Sequence, residues 1–155
     1  MSRAVPDMKD ETVRPKNPES QSKTALLHLT PMHLTPIRVR TDRAEVAAFA
    51  GEIGSLGGQD FVPMTFPIRW LTLPDVRQAI SQALGPDFLP VHEGQSFAYV
   101  KSLKVEHDYE LAIRLKLSEK PSRLTLHMRV SDPEGEVCTL ETVLRIVPIG
   151  MDQRS

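Results

Sequence analysis

Apolar and polar side chains alternate with a period of two through "DYELAIRLKLS", where Tyr109, Leu111, Ile113, Leu115 and Leu117 fall on one side. Glu110, Ala112, Arg114 and Lys116 fall on the other. This is the pattern of a strand buried on one face. The same period runs through Leu124, Leu126, Met128 and Val130, and again through Cys138, Leu140, Thr142, Leu144 and Ile146. The intervening "EKPS" and "DPEG" carry turn residues, so the three segments are expected to form an antiparallel meander. "QSFAYVKSLKV" supplies a fourth strand, and a segment near Ile37 to Arg40 a fifth.

Upstream of this region the period lengthens. In "DVRQAISQAL", Val76, Ala79, Ile80, Ala83 and Leu84 recur at helical spacing. The helical stretch opens near Phe66 and Pro67, Pro74 kinks or restarts it, and Gly85-Pro86 ends it. In "TDRAEVAAFAGEIG", Thr41 or Asp42 can cap a shorter helix with an apolar face of Ala44, Ala47, Ala48 and Ile53, closed by Gly54. "SLGGQD" between the helices reads as loop. One long helix placed between a first strand and a run of antiparallel strands can cover only one face of their sheet, which predicts an α+β fold.

Residues 1 to about 24 contain almost no large apolar side chains and cannot bury enough surface to offset the entropy of ordering. The expected organisation is a disordered tail over 1–24, a single domain over 25–150 and a short tail over 151–155. The echo of His-Leu-Thr-Pro at His28 and His33 is too short to be a structural repeat. A net charge of −1 with intermixed signs offers no basic stripe to a phosphate backbone, so nucleic acid is not an expected partner. Cys138 is the only cysteine, which excludes an internal disulfide and a cysteine-cluster metal site. No apolar stretch approaches the roughly 20 residues of a membrane helix, and the N-terminus lacks the apolar core of a signal peptide. A cytoplasmic location away from membranes is expected.

Three segments carry a family resemblance: "AEVAAFAGEIG", "FVPMTFPIRW" and "PVHEGQSFAYVKSLKVEHDYEL". Together, over roughly residues 34 to 148, they resemble the N-terminal, dehydratase-like half of MaoC-type proteins, which act on R-3-hydroxyacyl thioesters. That resemblance implies the hot-dog fold, an antiparallel sheet of about five strands wrapped around one long central helix. It implies no cofactor.

Catalytic MaoC-type halves carry Asp-x-Asn-Pro-x-His, whose Asp and His hold and activate a water. In "DFVPMT", Asp60 and Pro63 match that motif, but Val62 stands for Asn and Thr65 for His, so the proton-exchanging imidazole is missing. The resemblance therefore implies a half that shapes the acyl channel. Met64, Thr65 and Phe66 at the helix start, with His92 and Gln95, are its candidate substrate-binding residues. Asp60 and Asp75 are catalytic candidates, and each has an alternative as a loop or helix-capping carboxylate. His28, His33, His107 and His127 show no ligand spacing, and no metal site is expected. Cys138, in register with Leu140 and Leu144, reads as a small buried hydrophobe.

The expected function is the non-catalytic substrate-binding half of an R-specific 3-hydroxyacyl-thioester dehydratase or enoyl-thioester hydratase, taking acyl-CoA or acyl-carrier-protein thioesters. Its partner would be a catalytic MaoC-type subunit. Two alternatives stay open: a hot-dog thioesterase using Asp75 or Glu93 as base, and a catalytically silent homodimer that binds acyl thioesters. Unpaired strand edges predict a dimer, homo- or hetero-, joined edge to edge through "QSFAYVKSL".

Overall fold

The computed structural model describes residues 31–54 and 61–150. The expected tails at 1–24 and 151–155, His28, and the loop "SLGGQD" with Asp60 lie outside them. In chain order the elements are β1 (Met32–His33), β2 (Ile37–Arg40), α1 (Arg43–Glu52), a 3-10 helix (Phe66–Thr72), α2 (Pro74–Leu84), β3 (Phe88–Tyr99), β4 (Asp108–Glu119), β5 (Ser122–Asp132) and β6 (Gly135–Pro148). All six strands belong to one antiparallel sheet ordered β1-β4-β5-β6-β3, with β2 also paired to β4.

The meander β4–β5–β6 forms as its alternation predicts. Leu111 faces Val130, Ile113 faces Met128, Leu115 faces Leu126 and Leu117 faces Leu124, and β6 continues the rows with Cys138, Leu140, Thr142 and Leu144. These side chains are all buried. The opposite, outer face carries Arg114, Lys116, Arg123, His127, Arg129, Glu141 and Arg145. A single register thus separates an apolar inner face from a charged outer one.

Six strands replace the expected five. The additional one, β1, lies along the same strand as β2: Met32 and His33 pair with Leu115 and Arg114, while Ile37–Arg40 pair with Leu111 to Asp108. Between the two pieces stands Pro36, which has no N–H to give to the ladder. Two residues of backbone pairing leave no periodicity to detect.

The expected single long helix is two pieces. Leu73 has φ −59° and ψ 143°, an extended conformation between the 3-10 helix and α2. The residue before a proline is disfavoured in the α region by the proline ring, and Pro74 is that proline. The helix therefore restarts at Pro74. Val76, Ala79 and Leu84 of α2 are buried and Ile80 and Ala83 pack partly against the core, as their spacing predicts.

The expected face of α1 was misplaced. Ala44, Ala47, Ala48 and Ile53 are exposed, whereas Val46 and Phe49, one turn apart, are buried. Larger side chains bury more apolar area per residue, and they decide which way the helix rolls. Asp42 occupies the N-cap position without a side-chain cap bond. Thr41 is fully buried: its hydroxyl donates to the carbonyls of Lys104 and His107 and accepts the His107 N–H. It fastens the β2–α1 corner to the loop before β4.

The strand expected through Val105 ends at Tyr99. The N–H groups of Val100 and Lys101 both point to the Val137 carbonyl, so the ladder closes there and Leu103 turns into the core. At its other end β3 begins at Phe88, earlier than expected, and it is the last strand of the sheet.

Phe66 has no exposed surface and stacks edge to face on Phe49 (5.4 Å between centroids) and on Trp70 (5.8 Å). Its substitution by alanine is expected to cost about 3–5 kcal/mol, as for other buried aromatic truncations. Urea unfolding should show a matching drop in midpoint without a change in slope.

Candidate functional site

The inner face of β3 is a part of the apolar side of the sheet that the helices leave half open. Strict alternation would place His92 and Gln95, three residues apart, on opposite faces. They share a face because the register shifts between His92 and Gly94: His92 pairs with Leu144, Gly94 with Val143 and Gln95 with Thr142. Glu93 is the extra residue of a β-bulge. The bulge rephases the strand, and His92 and Gln95 both point to the side of Leu144 and Thr142.

There the side chains form a connected set. The Thr142 hydroxyl donates to Gln95 Oε1 (2.8 Å), and Gln95 Nε2 donates to the Glu141 carbonyl (3.2 Å). His92 Nε2 lies 3.3 Å from the same Gln95 Oε1. An amide oxygen only accepts, so this contact assigns the proton to His92 Nε2 and, in the neutral ring, leaves Nδ1 as an acceptor. Thr142 is buried and His92 exposed, so the set runs from the core to the surface. It can orient a bound group by hydrogen bonding. Among the described residues no carboxylate holds His92, so the hydrogen bonds seen there give it no acid–base relay.

Glu93 points the other way. On the outer face its carboxylate accepts from Arg123 and, at 3.1 Å, from Arg145 Nε. The Arg123 hydrogen bond is the main cause holding this carboxyl below its ordinary range, against a desolvation contribution of opposite sign. A carboxylate so held is a poor base, and it lies across the sheet from His92 and Gln95. The expectation of Glu93 as a thioesterase base does not fit this placement.

The start of the helical region meets β3 farther along. Phe61 bridges to Lys104, Val62 is buried, and the Tyr99 hydroxyl donates to the Met64 carbonyl. Burial drives the Tyr99 phenol above its ordinary range, so the proton in that contact stays in place. Met64 is 66% exposed and Thr65 is exposed, leaving both side chains open to a ligand or partner. Phe66 is in the core and presents no surface. Tyr99 pairs with Cys138 and Gln95 with Thr142, four residues along β6 or roughly 13 Å at strand spacing. The structure therefore joins Met64 to β3, and His92 to Gln95, as two clusters on one inner face.

Asp75 sits exposed in the first turn of α2 and forms no ion pair or hydrogen bond among the described residues. Asp60 lies outside them. Among the described residues no group of His, Cys, Asp and Glu could hold a metal ion, and no helix is long and apolar enough to cross a membrane.

Thr142 is the site residue that sequence reasoning passed over. A hydroxyl at an inner-face position otherwise held by Cys138, Leu140, Leu144 and Ile146 was the available signal.

No protein-family model matches the chain, and no curated protein does. Solved structures do match it in fold. A hot-dog-like protein from Thermanaerovibrio acidaminovorans superposes with a TM-score of 0.64 at 14% identity, covering 83% of this chain and 90% of that one. The C-terminally truncated HadBC (3R-hydroxyacyl-ACP dehydratase) complex of Mycobacterium tuberculosis gives 0.60 at 15% identity, covering 74% and 95%. HtdX of the same organism gives 0.56 at 21% identity; 72% of this chain is covered but 50% of that one, so the match spans half of the HtdX chain. The fold is thus the hot-dog fold.

Burial pushes the Cys138 thiol up to about 11. At pH 8 the folded protein should therefore hold about 200-fold less thiolate than a free cysteine of pKa about 8.5. Alkylation by iodoacetamide is expected to wait for unfolding; rapid labelling of folded protein would contradict the burial.

Proposed function

We propose that this chain, through a single domain over residues 25–150, is the substrate-channel half of an R-specific 3-hydroxyacyl-thioester dehydratase or enoyl-thioester hydratase, completed by a MaoC-type subunit that brings the catalytic Asp and His. The observation that carries the proposal is the absence of a dyad: among the described residues no histidine is ion-paired or hydrogen-bonded to a carboxylate. In the register that matches Asp60 and Pro63 to the motif of the resembling family, Thr65 replaces its catalytic histidine. The half-open inner face of β3 supports the same reading, because it offers a polar set at His92, Gln95 and Thr142 beside apolar wall from Leu144 and Phe97. Likeness in fold to a dehydratase complex, and to half of a longer chain, is consistent with it.

On this reading the substrate is an acyl-CoA or acyl-carrier-protein thioester, and His92, Gln95, Met64 and Thr65 position it without transferring a proton. Positioning alone can carry about a hundredfold in rate. β3 ends the sheet, so the backbone groups on its open side have no strand partner among the described residues. Phe88, Leu89 and Val91 at its start are 42–49% exposed and Val100 beyond its end is 70% exposed. Such an edge is suited to pairing with a second sheet. A partner subunit joined there would cover these side chains. The location we propose is cytoplasmic.

The isolated chain should show no dehydration of an R-3-hydroxyacyl thioester and no addition of water to the enoyl thioester. Co-purification with a motif-bearing MaoC-type subunit should restore both, and His92→Ala or Gln95→Ala in that complex should lower kcat/KM about 10- to 100-fold with the complex intact. Turnover by the isolated chain would sink the proposal. Light scattering at micromolar concentration gives the assembly: a monomer that acyl-CoA leaves monomeric rules out the homodimer.

A second reading rests on Asp75, an exposed and unengaged carboxylate on the central helix. As a thioesterase, the chain alone would release free thiol from acyl-CoA, and Asp75→Asn would abolish the release.

A further inference from the structure

The outer face of the sheet holds cations whose charges are answered and cations whose charges are not. Arg123 and Arg145 close on Glu93, Lys101 on Asp132 and Glu134, and Arg40 on Asp42, Glu106 and Asp108. Arg114 and Arg129 form no ion pair among the described residues.

Register places these two in a defined setting. On β4, Arg114 is flanked on one side by His33 of β1 and on the other by His127 of β5, so a histidine–arginine–histidine row crosses three strands. Arg129 is two residues from His127 on the same face of β5. All four border a groove of about 440 Å³ whose apolar wall includes Leu34 and Pro36. Glu136 is the one carboxylate that lines it, and Glu141 pairs with His127 from the β6 side. Like charges placed opposite one another on a sheet destabilise it. Here the arrangement holds two guanidinium groups beside one half-buried imidazole, Arg114 across from it on β4 and Arg129 along its own strand.

We infer that this groove is a binding site for a phosphoryl group, held by Arg114 and Arg129 with His127 and His33 completing its rim. Each guanidinium presents a planar fork of N–H donors that matches two phosphoryl oxygens. A neutral imidazole adds one N–H donor, and a protonated one adds two and a charge. His127 lies below its ordinary pKa, first through burial and then through Arg114 and Arg129, with Glu141 and Glu136 opposing. A bound dianion opposes the two arginine contributions, so occupancy should raise the His127 pKa, and binding of sulfate, which stays a dianion, should tighten as pH falls toward 6. The site lies on the other side of the sheet from His92 and Gln95, and it stands whether or not the acyl-thioester reading does.

NMR of the histidine ring protons in the full chain tests this. Inorganic phosphate, at constant ionic strength against chloride, should shift His127 and His33 saturably and move the His127 pKa upward. Arg114→Gln with Arg129→Gln should abolish saturation. Arg129→Lys keeps the charge but loses the fork, and should weaken binding about tenfold; it serves if the double variant does not fold. Adenosine 3′,5′-bisphosphate, the phosphorylated end of CoA, separates two sources of the same chemistry: tighter binding than phosphate assigns a nucleotide, equal or weaker binding assigns free phosphate. Shifts that chloride reproduces, that never saturate, or that survive loss of both arginines would overturn the site.

Discussion

Everything in this molecule depends on one register, the antiparallel pairing of β4, β5 and β6. It sets Leu111, Ile113, Leu115, Leu117, Leu124, Leu126, Met128, Val130, Leu140 and Leu144 on one side, buried. A slip of one residue would exchange that side for the charged one. The helical elements then have a single place to go. The 3-10 helix contributes Phe66 and Trp70 and α2 contributes Val76, Ala79 and Leu84, all to the same apolar layer. An 11-residue α2, begun afresh after Leu73, is too short to roof the whole sheet, and the inner face of β3 is left half covered. The candidate site is that uncovered remainder.

What was legible in the chain follows from this hierarchy. A strand buried on one face must alternate, so β4, β5 and β6 could be read residue by residue. The amphipathic face of α2 could be read for the same reason. Elements whose formation rests on backbone pairing or on competition between similar side chains could not. β1 is two residues held by β4, and the Ala-rich α1 offers two apolar faces between which only the bulk of Val46 and Phe49 decides. The break at Leu73 was half visible, since Pro74 marks a kink or a restart and only the extended Leu73 shows which.

The candidate site was legible in identity more than in geometry. His92 and Gln95 were brought together by family resemblance, whereas alternation alone would have parted them; their common face comes from the bulge. Thr142 was assigned to the inner face correctly, yet a hydroxyl there says nothing of its partner until Gln95 arrives from another strand. Glu93 was weighed as a base for its place beside the central helix, and its two arginines, 30 and 52 residues away in sequence, could be paired with it only by the fold.

The bulge at Glu93 also makes β3 sensitive to register as well as to side-chain identity. Deleting that single residue would leave the strand in strict alternation, with Phe88, Pro90 and His92 still on the face of Gln95, Phe97 and Tyr99. Keeping Glu93 but pairing it as an ordinary rung would instead turn over everything before it, with Leu89 and Val91 toward the helices and Phe88 and His92 toward the charged side. The strand is thus two half-strands of opposite phase soldered at one residue, and Arg123 and Arg145 hold the solder. Whether Glu93 is bulged or paired therefore determines which chemistry faces the helices, so change here can come in a whole step where substitution gives a gradual one.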